Sequence, residues 1–145
     1  MKLLKESLNY HMLEQGHAYP TYYSNLFFDI RKAMTGAVKE ARERKLGVWA
    51  KDKTMTGYKV GGSLDSVAKE AYVVPKLYRR MLDYFDSING GTTSLEGFKE
   101  YLDERNDEVF ILASGQVAGF DVAVEVDGQT VKLTEPIEEL VFQEK

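Results

Sequence analysis

The dipeptide Asp127-Gly128 lies between two runs of alternating apolar residues and constrains the fold of this chain more than any other feature. Apolar and polar residues alternate over 120–126 before it and over 131–133 after it. A period of two is typical of a half-buried strand, and Asp-Gly favours a tight turn between antiparallel strands. The sequence therefore predicts a β-hairpin here. Residues 109–112 and 140–142 predict two further short strands.

The first 50 residues have a helical pattern instead. Apolar residues recur every fourth position over 2–15, which predicts an amphipathic helix ending at Gly16. These apolar residues are Leu4, Leu8 and Met12. Ser24 is the predicted N-cap of a second, long helix, Gly47 fits its end, and Trp49 is placed to pack back over the last turn.

The middle of the chain predicts a loop followed by shorter helical elements. Residues 51–62 have no period and predict an extended loop. Ser63 is the predicted cap of a helix that includes Ala71, and Pro75 either kinks that helix or starts a new one. Residues 89–91 (Asn-Gly-Gly) are the predicted end of the helical stretch that contains Pro75. The capping-box pattern of residues 93–96 predicts a further short helix.

These elements predict an α+β fold, with a helical N-terminal two-thirds followed by a small antiparallel β-sheet. We expect segments 1–55 and 63–145 to form either one compact unit or two adjoining lobes. No apolar run approaches the roughly 20 residues that cross a bilayer, so no membrane partner is expected. The first residues lack a secretion signal, which leaves the compartment open, with the cytoplasm as the default.

Charge and cysteine content restrict the chemistry. The chain has no cysteine, which excludes disulfides, cysteine-based zinc sites and thiol catalysis. Residues 1–82 hold 15 Lys and Arg against 8 Asp and Glu, whereas residues 83–145 hold 4 against 15. The basic part is therefore the expected surface for an anionic partner such as nucleic acid. The acidic part either repels such a partner or pairs with the basic part.

Seven residues of the basic part are candidates for contacting nucleic acid. Tyrosines can stack on bases, and cations on one helix can contact phosphates. The candidates are Tyr19, Tyr22, Tyr23, Arg31, Lys32, Lys39 and Arg42. The sequence favours plainer alternatives for both groups: an aromatic connector packed against the core, and a solvated helix face with local ion pairs.

The sequence predicts no catalytic residue and no metal ligand. His11 and His17 are six residues apart, a spacing that does not place two ligands on one helix face. The acidic run 103–108 lacks the glycine and the spaced ligands of an EF-hand loop, so a solvated helix end is expected there. No Gly-x-Ser-x-Gly context supports a nucleophilic serine.

One ordered set of residues resembles a known family. Residues 8–18 contain Leu8, Asn9, Gly16 and Ala18; a Tyr-rich connector and a basic helix follow, and the helix runs through Ala41 and Arg42 to Gly47 and Trp49. This order resembles the C-terminal helical portion of staphylococcal-nuclease-like domains, over residues of about 4–52. In that family the aromatic connector lines the nucleotide-base pocket, and the tyrosines at 19, 22 and 23 occupy the corresponding stretch.

The resemblance also implies what is missing. The family's activity is phosphodiester hydrolysis, with carboxylates that hold calcium and arginines that stabilise charge on the phosphate. Those residues lie on a β-barrel that precedes the first helix, and this chain has only seven residues before Leu8. We therefore expect a non-catalytic binding or interaction module, with calcium relevant only if a barrel is supplied elsewhere. The alternative is the C-terminal section of a calcium-dependent nuclease. Protein binding or self-association through sheet edges is also expected.

Overall fold

Helices and strands are interspersed along the computed structural model, which describes residues 2–70, 72–88 and 90–144. The helices are α1 (Lys2–Lys5), α2 (Leu8–Glu14), α3 (Phe28–Glu43), α4 (Leu64–Glu70), α5 (Pro75–Ser87) and α6 (Phe98–Arg105). The strands are β1 (Tyr22–Tyr23), β2 (Tyr58–Lys59), β3 (Glu108–Ile111), β4 (Gln116–Gly119), β5 (Val124–Asp127), β6 (Thr130–Leu133) and β7 (Leu140–Phe142). Short 3-10 helices cover Gly47–Ala50, Phe120–Ala123 and Ile137–Glu139.

The strands form two sheets, and this arrangement corrects the predicted order of a helical part followed by one antiparallel sheet. One sheet has the order β1-β7-β3-β4, and the other has the order β2-β6-β5. β1 and β2 lie within the predicted helical part and the predicted loop, and β1 pairs with β7 in parallel. Strands of two residues are too short to show a period of two, so only their distant partners reveal them. The α+β class itself is confirmed.

The predicted hairpin is confirmed. β5 and β6 pair antiparallel with Asp127 opposite Thr130, and Gly128 has a φ of 60°. The strand expected over 120–126 is shorter, because its first half is the 3-10 helix Phe120–Ala123. With three residues per turn, that helix turns both Phe120 and Ala123 into the core. The strands expected at 109–112 and 140–142 correspond to β3 and β7.

The first predicted helix is divided in two, which corrects the expected apolar stripe. The Ser7 hydroxyl accepts a hydrogen bond from the Tyr10 backbone N–H at 3.2 Å and so caps α2 as a separate helix. Leu13 is the buried residue of α2, whereas 72% of Leu8 is exposed. Leu4, at partial burial, lies in the short helix α1.

The long helix α3 begins later than expected. The Ser24 N–H donates to the carbonyl of Phe142, so Ser24 continues the pairing of β1 and does not cap a helix. Phe27 occupies the N-cap position instead, without a side-chain hydrogen bond. The buried face of α3 consists of the small residues Ala37, Val38 and Ala41, which allow close packing of neighbouring segments.

The predicted bounds of the later helices are correct in part. Ser63 accepts a hydrogen bond from the Ser66 N–H, as predicted, and Pro75 begins a new helix, α5, which is one of the two alternatives that the sequence left open. The predicted capping box at 93–96 is wrong: α6 begins at Phe98, after Gly97 with a φ of 80°. The predicted helix position Ala71 and helix terminator Asn89 lie outside the described residues.

One hydrophobic core includes side chains from α2 through β7. Its largest fully buried members include Phe85 of α5, Phe98 of α6, Phe120 of a 3-10 helix and Phe142 of β7. The core therefore receives residues from both predicted segments, 1–55 and 63–145. Among the described residues, no helix is both long enough and apolar enough to span a lipid bilayer.

Candidate binding surface

A backbone contact between two glycines sets the arrangement of the N-terminal helices. The Val48 N–H donates to the Gly16 carbonyl at 2.9 Å. A Cβ atom at Gly16 would lie 2.3 Å from the Leu46 carbonyl oxygen, and one at Gly47 would lie 2.0 Å from the Gly16 carbonyl oxygen. Both glycines also have positive φ, at 70° and 54°. Only glycine allows the two chain segments after α2 and α3 to approach so closely.

The contact lies just after the C-terminal ends of both helices, α2 at Glu14 and α3 at Glu43. Leu8 of α2 shares a groove with Leu26 and Met34, which belong to the start of α3 and its approach. Lys5 lies with Lys32 around a second depression, which Asp29 and Glu40 also line. The two helices therefore run in the same direction, side by side.

Trp49 packs back over the helix end, as its position in the sequence predicts. Its buried ring contacts the Tyr19 ring edge-on, with centroids 5.0 Å apart. The Tyr19 hydroxyl donates to Asp52 Oδ1 at 2.8 Å, and the same oxygen accepts from the hydroxyl of Thr54 at 2.6 Å. Burial and the Asp52 carboxylate both raise the pKa of Tyr19, because each disfavours the phenolate.

Thr54 links the hydrogen bonds of Tyr19 and Asp52 to the start of α5. The Thr54 hydroxyl oxygen accepts a hydrogen bond from the Val74 N–H at 3.1 Å, and Thr54 is 2% exposed. The polar groups that follow Trp49 are therefore engaged in holding the connector against α5.

Arg42, predicted to contact phosphate, is bound within the fold. Both terminal nitrogens of its guanidinium donate to the Glu138 carboxylate at 2.5 Å, and Glu138 is 1% exposed. The guanidinium carbon also lies 4.5 Å from the centroid of the Trp49 ring. The hydrogen bonds to Glu138 raise the pKa of Arg42 and hold its charge in place.

The other two predicted tyrosines pack against the sheet. Tyr22 is 2% exposed, and its hydroxyl accepts a hydrogen bond from the Thr35 hydroxyl at 3.1 Å. Burial raises its pKa. Tyr23 is half-buried and tilted against Phe142, with ring centroids 6.1 Å apart. The connector thus packs against the core, and Tyr22 has no ring face open to a nucleobase.

The remaining predicted cations lie on the outer side of α3. Lys32 is exposed, and Lys39 is 3.7 Å from the Glu139 carboxylate. The Arg31 guanidinium lies 5.5 Å from the centroid of the Phe28 ring. Arg31 and Arg42 are about 16 Å apart along the helix axis. The seven candidate residues are therefore distributed around the N-terminal part, and nucleic-acid binding by the exposed ones stays a prediction.

Sequence analysis missed a buried charge cluster at the end of the acidic run. Asp107 is 5% exposed, and its carboxylate lies 2.7 Å from Arg80 Nε and 3.7 Å from Lys76 Nζ. The run 103–108 was expected to be solvated, and this expectation is wrong for Asp107. Lys76 and Arg80 are four residues apart on α5, which places both cations on one face of that helix.

One concave feature of the helical part is an apolar groove of about 470 Å³ between α2, the connector and the start of α3. Its walls are mainly apolar, and the backbone of the connector closes one side. The side chains that line it include Leu8, Met12, Leu13, Tyr19, Leu26 and Met34. Two methionines give such a groove a lining that adapts to different apolar ligands.

Four large apolar side chains of the N-terminal part are exposed, and one of them, Leu8, lines this groove. Leu3 is 83% exposed, Phe27 is 77% exposed and Phe28 is 63% exposed, and Leu8 at the groove's rim adds a fourth. Single exposed apolar residues are ordinary on a protein surface, but several at one place mark an interaction site. The sequence predicts Leu8 on the buried face of an amphipathic helix, whereas Leu8 is 72% exposed in the structure.

The sequence also predicted sheet edges as binding surfaces and considered the two histidines as metal ligands. The outer strands of the two sheets are β1, β4, β2 and β5, and Val117 on β4 is 60% exposed. His11 and His17 are both exposed. Within the ranges that the structure describes, no group of three or more His, Asp or Glu side chains is placed to hold a metal ion.

Comparison with known proteins gives no relative for this chain. No family model matches it, and neither a curated protein nor a solved structure does. The candidate surface is therefore interpreted from its own geometry.

Proposed function

We propose that this chain is a binding module that takes up an apolar segment of another protein in the groove between α2 and α3. The observation that carries the proposal is this mainly apolar groove, whose lining includes Leu8, a leucine that is 72% exposed. A groove of about 470 Å³ has the size of a ligand site, and its apolar walls would be dehydrated by an apolar occupant. The close contact of Gly16 with Gly47 fixes how the segments after α2 and α3 meet.

Burial of the exposed side chains supplies the favourable free energy of this interaction. Transfer of one Leu or Phe side chain from water to an apolar environment contributes about 1.5–3 kcal/mol. Leu8, Phe27 and Phe28 are each more than 60% exposed in the free chain. Even partial burial of these three side chains would offset a substantial part of the entropy lost on association.

A distant relationship to staphylococcal-nuclease-like domains is part of the proposal. Its support is that residues of the ordered motif meet in space: Gly16 contacts Gly47, and Trp49 packs against Tyr19 and Arg42. A helix, an aromatic connector and a second helix ending in Gly-φ-Trp thus form one structural unit. In this interpretation the unit keeps a binding role without the barrel chemistry.

The proposal is tested with a displayed library of short helical peptides selected on the intact chain. Selected peptides should share apolar residues at helical spacing, and Leu8→Asp should weaken their binding at least about tenfold, as expected for a charge placed in an apolar interface. Val117→Asp is the matched control, since Val117 is 60% exposed on β4.

Two results would contradict this function. If the selected peptides bind Leu8→Asp as tightly as the unchanged chain, the groove is not the site. If the chain cleaves nucleic acid in a calcium-dependent manner, the alternative of a nuclease section replaces the binding module.

A further inference from the structure

We propose that a pocket beside Trp49 binds a small organic phosphate ester, with its phosphate between lysines and its apolar part against the indole ring. This Trp49 pocket shares no lining residue with the groove between α2 and α3, so the inference does not depend on the proposed function. Three observations support it: the charge of the lining, the buried indole N–H and the backbone conformation of Lys45.

The Trp49 pocket lies beyond the last turn of α3 and has a volume of about 350 Å³. This volume is at the lower end of the range for ligand sites, so it suits a small molecule. Trp49, Ala50 and Met55 form the apolar part of its lining. The ligand therefore has a short apolar portion to place against these three side chains.

Three cations line the pocket against one carboxylate. They are Arg42, Lys45 and Lys53, and the carboxylate is Asp52, which already accepts two hydroxyl hydrogen bonds. Arg42 is paired with Glu138, whereas Lys45 and Lys53 are exposed and form no salt bridge within the described ranges. A phosphate monoester carries about −1.5 to −2 charges at neutral pH, which matches two lysines better than the single charge of a carboxylate.

The indole N–H of Trp49 is a hydrogen-bond donor that the fold leaves unmet. Trp49 is 7% exposed, and its buried Nε1–H has no hydrogen-bond partner in the described part of the chain. Buried donors nearly always have an acceptor. Because a phosphate group carries three acceptor oxygens, an occupant of this chemistry brings acceptors to a pocket whose wall has an unmet donor.

Lys45 occupies a backbone position that ordinarily belongs to glycine. α3 ends in a Schellman motif, in which the Leu46 N–H donates to the Ala41 carbonyl and the Lys45 N–H donates to the Arg42 carbonyl, both at 3.0 Å. The φ of Lys45 is 54°, a conformation that is unfavourable for a residue with a Cβ atom. Non-glycine residues in this conformation are concentrated at functional sites. Lysine thus lowers stability at this position, and a phosphate contact gives its charge a role outside folding.

The first experiment is calorimetric titration of the intact chain with hexyl phosphate. Inorganic phosphate tests the charge without the apolar part, 1-hexanol tests the apolar part alone, and hexanoate tests a single negative charge. We expect hexyl phosphate to bind at least about tenfold tighter than each of these, because each lacks one kind of contact. The fluorescence of Trp49, the sole tryptophan, should change with the same affinity.

These probes can overturn the inference in two ways. Equal affinity for hexanoate or inorganic phosphate would contradict a phosphate ester as the ligand. Absence of binding by hexyl phosphate at millimolar concentration, or binding that leaves the emission of Trp49 unchanged, would contradict the pocket as the site.

A matched pair of lysine variants locates the contact. Lys51 and Lys53 are both exposed and lie in one stretch, but Lys53 lines the pocket and Lys51 lies over the Tyr72 ring. Lys53→Ala should weaken binding of hexyl phosphate about tenfold, and Lys51→Ala should weaken it less than about twofold. Similar losses in the two variants would show attraction by general positive charge and would overturn the site.

Lys45→Gly separates binding from folding. Since glycine suits a φ of 54°, this variant should unfold at the same temperature as the unchanged chain or at a higher one. Its affinity for hexyl phosphate should nevertheless decrease about tenfold. Unchanged affinity would overturn the role of Lys45 in binding, and a lower unfolding temperature would overturn the argument from its backbone conformation.

A single-stranded oligonucleotide is the final probe, because it would contact the same cations through a row of phosphates. We expect it to bind no tighter than hexyl phosphate, since Arg42, Lys45 and Lys53 line one pocket. An oligonucleotide that displaces hexyl phosphate and binds more than about tenfold tighter would assign these cations to nucleic acid and overturn the inference.

Discussion

Arg42 of the long helix donates two parallel hydrogen bonds to the carboxylate of Glu138, 96 residues further along the chain. Glu138 is 1% exposed, whereas 31% of the Arg42 side chain remains exposed. The pair joins α3 to the 3-10 helix Ile137–Glu139 that precedes the last strand. Because the carboxylate is buried and the cation is partly exposed, removal of one residue should change the stability of the fold more than removal of the other.

Arg42→Ala should therefore destabilise the protein more than Glu138→Ala. Loss of Arg42 leaves a buried carboxylate without its cation, at about 3–5 kcal/mol. Loss of Glu138 leaves an arginine that can reach solvent, at about 1–2 kcal/mol. Urea unfolding followed by the fluorescence of Trp49, the sole tryptophan, measures both values. Equal losses in the two variants would show that burial of Glu138 does not govern the pair.

Gly16→Ala should lower the free energy of unfolding by about 2–5 kcal/mol. Its Cβ would lie 2.3 Å from a backbone oxygen, and its φ of 70° is unfavourable for alanine. Gly36→Ala is the matched control, since nothing lies within 4 Å of its Cβ and Gly36 is inside α3. Alanine there should stabilise the chain by about 0.5–1 kcal/mol. Thermal unfolding of both variants measures the change in stability. A similar change in the two variants would contradict a steric requirement for glycine at position 16.

The stability of the chain should decrease in alkaline solution through Tyr19. Its pKa in the folded state lies above the ordinary value of about 10, so folding favours the protonated phenol. This contribution is fully present below pH 10 and is lost as pH rises further, by up to about 1.4 kcal/mol per pH unit. Partial exposure of the ring reduces that slope. Tyr19→Phe should unfold with a shallower alkaline slope, and parallel curves for the two proteins would refute this assignment.

Asp107→Asn should destabilise the chain by about 2–4 kcal/mol, because it leaves Lys76 and Arg80 near a neutral amide in a buried place. Asp83→Asn serves for comparison. Asp83 also lies near Arg80, at 3.5 Å, but its side chain is 54% exposed. Its replacement should change stability by less than about 0.5 kcal/mol. Similar losses on chemical denaturation of the two variants would contradict a special role for the buried carboxylate.

The local pattern of the sequence determined the elements whose formation depends on neighbouring residues. The Asp127-Gly128 hairpin, the start of α5 at Pro75 and the cap at Ser63 all follow from turn and capping chemistry within a few residues. The return of Trp49 over the helix end also follows from its position after Gly47. These features are readable because their partners lie close in sequence.

Only the tertiary structure decided the features whose partners are distant. β1 and β2 exist as strands because β7 and β6 supply their hydrogen bonds. Asp107 and Glu138 are buried because cations of α5 and α3 receive them, and a local acidic pattern contains no information about such cations. The contact of Gly16 with Gly47 likewise joins positions that are 31 residues apart, and no local pattern shows that these two glycines meet.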